Sequence, residues 1–134
     1  MMKQDLKLVF DQLDHALTRL EEAVLQPKSQ SRVEVDGTIQ RFEFCIELFW
    51  KVLKKKLFDE YGIEVSGPKK VMQQAYASKL INDEKIWLKM LDDRNLTSHT
   101  YDEELADEIY HNIKKYVPFL RTELQQILLK NDEK

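Results

Sequence analysis

A chain of 134 residues with 43% hydrophobic and 34% charged side chains, three Gly, three Pro and a single Cys is long enough to close one apolar core without disulfide or metal support. Its scarcity of turn formers predicts an all-α domain and excludes a turn-rich β domain. A net charge of −3 speaks against a general electrostatic grip on nucleic acid, because such binders carry a basic excess.

Leu6, Phe10, Leu13, Leu17, Leu20 and Val24 recur at helical steps and predict a first helix that ends before Pro27. Residues 27–36 read as a polar connection, and Asp36-Gly37-Thr38 supplies cap chemistry for a second helix. That helix runs long. Ile39, Phe42, Ile46, Phe49, Leu53 and Leu57 mark its main stripe, while Phe44, Leu48, Trp50 and Phe58 widen the apolar surface enough to ask for two packing partners. Gly62 is placed to end it, and Gly67-Pro68 to open a short third helix fading near Ser78. Asn82 or Asp83 can cap a fourth helix carrying Ile86, Trp87, Met90 and Leu91 and delivering Arg94 near its far end. Thr100-x-x-Glu103 has the form of a capping box, which predicts a fifth helix with Tyr101 in its first turn. Leu105, Ile109, Ile113, Val117, Leu120, Leu124 and Ile127 continue that helix, with a kink expected at Pro118 and a frayed tail over residues 130–134. The predicted fold is a single domain over 1–134, an up-and-down bundle of four main helices plus one short helix.

No apolar run reaches spanning length, and the first residues enter directly into a charged amphipathic pattern. Neither a membrane segment nor an export signal is expected. Cys45, inside an apolar helical run, reads as a small buried hydrophobe, and a reducing, cytoplasmic setting fits. His15, His99 and His111 lack metal-ligand spacing, and glycine is too scarce for a phosphate-cradling loop, so neither metal nor cofactor is expected. Lys51, Lys54, Lys55, Lys56, Lys69 and Lys70 cluster in sequence and read as a solvated helix end. Trp50 and Trp87 read as core or interface packing.

The chemistry concentrates in Arg94-Asn-Leu-Thr-Ser-His99-Thr-Tyr101, where a fixed cation, an imidazole and a phenol meet at a helix-to-helix junction. Arginine presents a donor fork matched to phosphate oxygens, and histidine exchanges a proton near neutral pH. In metal-independent phosphodiester cleavage a base takes the proton of the 2′-OH, an acid protonates the leaving oxygen, and a cation stabilises charge growing on phosphorus. His99 suits either proton role and Arg94 the electrostatic one. A purely structural role competes: Arg94 can pair with Asp92, Asp93, Glu43 or Glu47, and His99 can simply flank a helix. One histidine cannot easily serve as acid and base together, whereas a twofold dimer would bring two into one cleft.

Arg94-x(4)-His99-x-Tyr101, with Gln40-Arg-Phe-Glu-Phe-Cys-Ile-Glu-Leu-Phe-Trp-Lys51 and Gly67-Pro68, resembles HEPN domains of the HepT type. These are the small helical partners of minimal (MNT) nucleotidyltransferases, also described as nucleotidyltransferase substrate-binding proteins. The resemblance covers nearly the whole chain. It implies a five-helix bundle that dimerises with two Arg-His motifs facing a shared cleft, and a cognate nucleotidyltransferase as partner. In members with toxin activity, Arg94 and His99 would correspond to the RNA-cleaving pair, with Asn95 the supporting polar residue of the pattern. Tyr101 would correspond to the tyrosine that the partner adenylylates to silence the toxin. The resemblance equally accommodates a non-catalytic subunit that only binds the nucleotidyltransferase.

Overall fold

The computed structural model describes residues 4–132. Five α-helices follow one another: α1 (Gln4–Ala23), α2 (Val33–Tyr61), α3 (Pro68–Ala77), α4 (Glu84–Leu96) and α5 (Glu103–Asp132), with a single 3-10 turn, Thr97–His99, between the last two. The expected all-α bundle of four main helices and one short one is what forms. Helices α1, α2, α4 and α5 alternate in direction, as three sets of contacts show. Lys55 reaches Asp5 while Arg41 reaches the Arg19 carbonyl. Phe49 packs on Trp87 while Arg94 faces Glu43. Trp87 reaches Glu123 while Asp93 meets Tyr116.

The predicted stripes become the core. Leu6, Phe10, Leu13, Leu17 and Leu20 of α1 are buried against Phe42, Ile46, Phe49 and Leu53 of α2 and Ile113, Leu120 and Leu124 of α5, the periodic burial that stabilises helices too weak to persist alone. Phe49, Trp87 and Phe119 stack edge to face through the centre, with ring centroids 5.1 and 5.9 Å apart. Trp87 is thus a core residue. Trp50 is only half-buried. Cys45 is fully enclosed, and burial pushes its thiol well above the ordinary cysteine range.

Local signals placed several boundaries correctly. Gly62 ends α2 in the left-handed conformation at φ 66°, its N–H returning to the last turn. Pro68 opens α3, Ser78 closes it, and the Asp83 carboxylate accepts from the Ile86 N–H to start α4.

Two expectations are corrected. Helix α2 begins at Val33, not after Asp36-Gly37-Thr38, because Arg32 takes a left-handed turn (φ 61°) and its carbonyl accepts from Val35 and Asp36 N–H. The buried face then starts at once with Glu34 and Val35, and Ser29 donates to the Glu34 carboxylate at 2.5 Å. Helix α5 is started by Asp102, whose Oδ1 accepts from Glu104 and Leu105 N–H. Thr100 turns its hydroxyl back to the Thr97 carbonyl, so the capping box does not form and Tyr101 precedes the helix. The chain is also helical through Asp132, across Pro118, with buried Leu124 and Ile127 and a Lys130 ammonium on the Lys79 carbonyl holding that end. Of the tail expected to fray, residues 130–132 are described as helical, and residues 133–134 lie outside the described part.

Among the described residues no helix is long and apolar enough to cross a membrane.

Candidate functional site

Helix α4 carries Arg94 and Asn95 to one end of the bundle, and a short polar turn carries His99 and Tyr101 just beyond. The turn is knitted locally. Thr97 donates to the Arg94 carbonyl at 2.6 Å, Thr100 donates to the Thr97 carbonyl at 2.9 Å, and Asp102 N–H donates to the His99 carbonyl at 3.1 Å. These bonds satisfy carbonyls that the end of α4 would otherwise leave open. Thr97 is buried, whereas His99 and Tyr101 project into solvent, Tyr101 with 84% of its surface exposed. The phenol oxygen stands 3.4 Å from His99 Nδ1 and the rings meet edge on, centroids 6.0 Å apart.

Arg94 is held loosely. Its side chain is one-third exposed, Nη1 lies 3.9 Å from Glu43 Oε2, and Nε is buried without a hydrogen-bond partner among the described residues. A guanidinium with one long ion pair keeps most of its donor fork for an incoming anion. Of the structural pairings open to it, the Glu43 one forms. Asp93 turns to α5 instead, and Glu47 accepts from Trp50 Nε1 at 3.0 Å. Arg94 and Asn95 line one groove of about 500 Å³ together with Lys69, Ile46, Glu47 and Asp92. The structure thus joins His99 to Tyr101 and Arg94 to Asn95. Among the described residues Arg94 makes no hydrogen bond to His99 or Tyr101.

Two buried carboxylates that sequence reasoning passed over position this end. Asp93 accepts from the Tyr116 hydroxyl at 2.5 Å and from Asn112 Nδ2 at 3.2 Å, fixing the last turn of α4 on α5. Burial, and then the bond to Asp93, push the Tyr116 phenol far above the ordinary tyrosine range. Glu123 accepts from Trp87 Nε1, Asn82 N–H and Asn82 Nδ2, each at 2.8 Å, fixing the first turn. A signal existed for both. Asp93 continues the Trp87–Met90 stripe at a three-residue step, and Glu123 sits between Leu120 and Ile127 in the α5 stripe, so each acid occupies a core position.

Comparison with known proteins adds the family. Residues 8–129 match the family described as "Nucleotidyltransferase substrate binding protein like". The chain belongs to that family. A relative from Haemophilus influenzae named "Probable ribonuclease HepT" is 34% identical over 137 residues, spanning 90% of this chain and 94% of its own. A solved structure, also from Haemophilus influenzae and described as revealing the fold of a substrate binding domain of a nucleotidyltransferase, superposes with a TM-score of 0.76 at 32% identity, covering 88% of this chain and 98% of that one. A crystal structure of a Thermus thermophilus protein gives 0.74 at 36% identity over 88% and 97%. The HepT-type resemblance carried by Arg94, His99 and Tyr101 therefore agrees with the family assignment of the nucleotidyltransferase substrate-binding fold.

Proposed function

We propose that this chain is the HepT-type HEPN subunit of a two-component, toxin-antitoxin-type system, a single cytoplasmic domain that dimerises, binds a cognate minimal nucleotidyltransferase and cleaves RNA without metal. The observation that carries the reading is the Arg94 donor fork, held by one long ion pair to Glu43, in the helical turn before an exposed His99–Tyr101 pair. Its support among relatives is a name, "Probable ribonuclease HepT", and a fold described as a nucleotidyltransferase's substrate binding domain.

In this reading the RNA phosphate sits on Arg94, with Asn95 as a neighbouring donor. One His99 takes the 2′-OH proton as that oxygen attacks phosphorus, and a second protonates the departing 5′-oxygen, leaving a 2′,3′-cyclic phosphate and a 5′-hydroxyl. The second imidazole comes from a second copy. Support for a homodimer is the exposed Leu8 and Phe44, beside the half-buried Leu48, along a groove of about 830 Å³ between α1 and α2, since neighbouring exposed apolar side chains mark interaction surfaces. Phe44 adjoins Glu43, the residue that faces Arg94, so a copy seated there would lie close to the motif.

Adenylylation at Tyr101 would silence the site. The phenol oxygen bonds to the α-phosphorus of ATP, pyrophosphate leaves, and the phenol proton passes to a base such as His99, 3.4 Å away. The product places a bulky anion beside the cation that substrate needs. A second reading, a non-catalytic subunit that only binds the nucleotidyltransferase, is favoured by the carboxylates of Glu43, Glu47 and Asp92 around Arg94, which oppose an incoming phosphate.

RNA cleavage in excess chelator separates the two, using AMP-free protein beside His99→Ala of equal fold and oligomeric state. The ribonuclease reading expects cleavage lost in the variant; cleavage retained by it removes His99 as the catalytic group, and cleavage absent from both leaves the binding subunit. Co-expression with the nucleotidyltransferase is expected to add AMP to wild type and not to Tyr101→Phe, and equal labelling of both would remove Tyr101 as acceptor.

A further inference from the structure

The lysines that look alike in sequence are sorted by the fold. Lys56 is buried with its ammonium 2.7 Å from Glu60, and Lys55 is bound to Asp5 at 2.6 Å. Lys51 and Lys54 are exposed and, among the described residues, make neither an ion pair nor a hydrogen bond. With Trp50, Phe58, Ile63 and Val65 they line a second groove of about 500 Å³ where the C-terminal half of α2 meets the segment leading to α3. Phe58 is 59% exposed there, a large ring that no core contact accounts for. Glu64 is the one acid lining that groove.

This groove neighbours the one that holds Arg94 along α2. Glu43, Glu47, Trp50, Lys54 and Phe58 follow one another at three- and four-residue steps, so they lie on one stripe of α2. Glu43 faces Arg94 at one end. Glu47 lines the Arg94 groove and accepts from Trp50, which lines the other, so one hydrogen bond links the linings of the two grooves. Lys69 adds a cation on the α3 side. From Glu43 to Lys54 the helix rises about 16 Å, the length of a few nucleotides.

We infer that this stripe is a track for single-stranded RNA leading away from Arg94, with phosphates on Lys51, Lys54 and Lys69 and a base stacked on Phe58. The track rests on the ribonuclease reading of the Arg94 end. Unpaired cations beside an exposed ring suit a flexible polyanion that carries flat π-faces, and they give an acidic protein its local contact with RNA. The chemistry asks for no sequence preference, because every base has a face to stack.

The test is fluorescence anisotropy with a labelled 12-nucleotide single-stranded RNA in chelator, using full-length His99→Ala protein so that cleavage cannot intervene. We expect Lys51→Glu/Lys54→Glu to weaken binding by at least about tenfold and to lower the slope of log K against log salt by about 1.4, the loss of two phosphate contacts. Phe58→Ser is expected to weaken it by about tenfold, whereas Lys7→Glu, an exposed α1 control, stays near the parent. No RNA binding by the parent, unchanged binding in the groove variants, or an equal loss in Lys7→Glu overturns the track. Groove variants that keep RNA but no longer co-purify with the nucleotidyltransferase would make the face a protein dock and overturn it too. The two readings fail separately. RNA bound through the groove without cleavage by His99-intact protein removes the ribonuclease and leaves the track, and cleavage with unchanged KM in the groove variants does the reverse.

Discussion

Tyr116→Phe should uncouple the end of α4 that carries Arg94 from α5. The substitution removes the shorter of the two side-chain donors to the Asp93 carboxylate, 2.5 Å against 3.2 Å from Asn112, at a site where Asp93 keeps only 7% of its surface. A hydrogen bond to a buried charged group contributes about 1.5–3 kcal/mol. The phenylalanine ring fills the same space and keeps the stacked contact with Phe42 at 5.9 Å, so no cavity adds to the loss. We expect about 2 kcal/mol, which for a chain of this size is a fall in Tm of about 6–10 °C. Urea denaturation of wild type, Tyr116→Phe, Asp93→Asn and the double variant gives the coupling directly, expected at about 1–2 kcal/mol. The pH dependence provides an internal check. The folded phenol is raised above its unfolded value, so its contribution is complete below pH about 10 and is lost as pH rises further, because the unfolded chain releases that proton first. The gap between wild type and Tyr116→Phe must therefore narrow above pH about 10. Additivity of the two single variants within about 0.5 kcal/mol, or a gap that widens in alkali, refutes the reasoning.

Other outcomes follow from the same packing. Glu123→Ala leaves three donors, from Trp87 and Asn82, facing an empty place, and we expect a loss of about 3–5 kcal/mol in chemical denaturation; a loss under 1 kcal/mol would mean the carboxylate holds nothing. Gly62→Ala forces a side chain into the left-handed region at φ 66° and is expected to cost about 1–2 kcal/mol, with a Tm equal to wild type counting against a strained cap. The Ser29 hydroxyl bond holds the Glu34 carboxyl below the ordinary glutamate range. Its contribution is therefore present at neutral pH and is lost as pH falls below about 4.3, and Ser29→Ala should flatten that acid limb in a pH series of thermal melts.

The parts of the fold legible in sequence are those with local causes. Stripe spacing made α1 and α5, and the special backbone needs of Gly62, Pro68 and Asp83 mark boundaries from a few neighbouring residues. The start of α2 is hidden in sequence because Arg32 turns left-handed with no side-chain cap to announce it, and that of α5 because two candidate caps lie two residues apart. Asp102 and Thr100 both offer an oxygen to the first turn, and only the tertiary placement of Thr97, buried under the turn, decides for Asp102. Asp93 and Glu123 escaped because their partners lie 19 to 41 residues away, and an acid on a helix looks solvated until those partners are known. For the candidate site, sequence placed Arg94 and His99 at one junction. It could not show that Arg94 meets Glu43 at 3.9 Å while the phenol of Tyr101 stands beside the imidazole.

The two carboxylate clasps sit at opposite ends of α4, Glu123 at its first turn and Asp93 at its last, and the turn beyond is closed by its own short bonds. Amide exchange should therefore separate into two populations, slow around Met90–Arg94 and fast from Ser98 to Tyr101. A group on the exposed Tyr101 hydroxyl would change what can approach the turn while leaving both clasps of α4 in place.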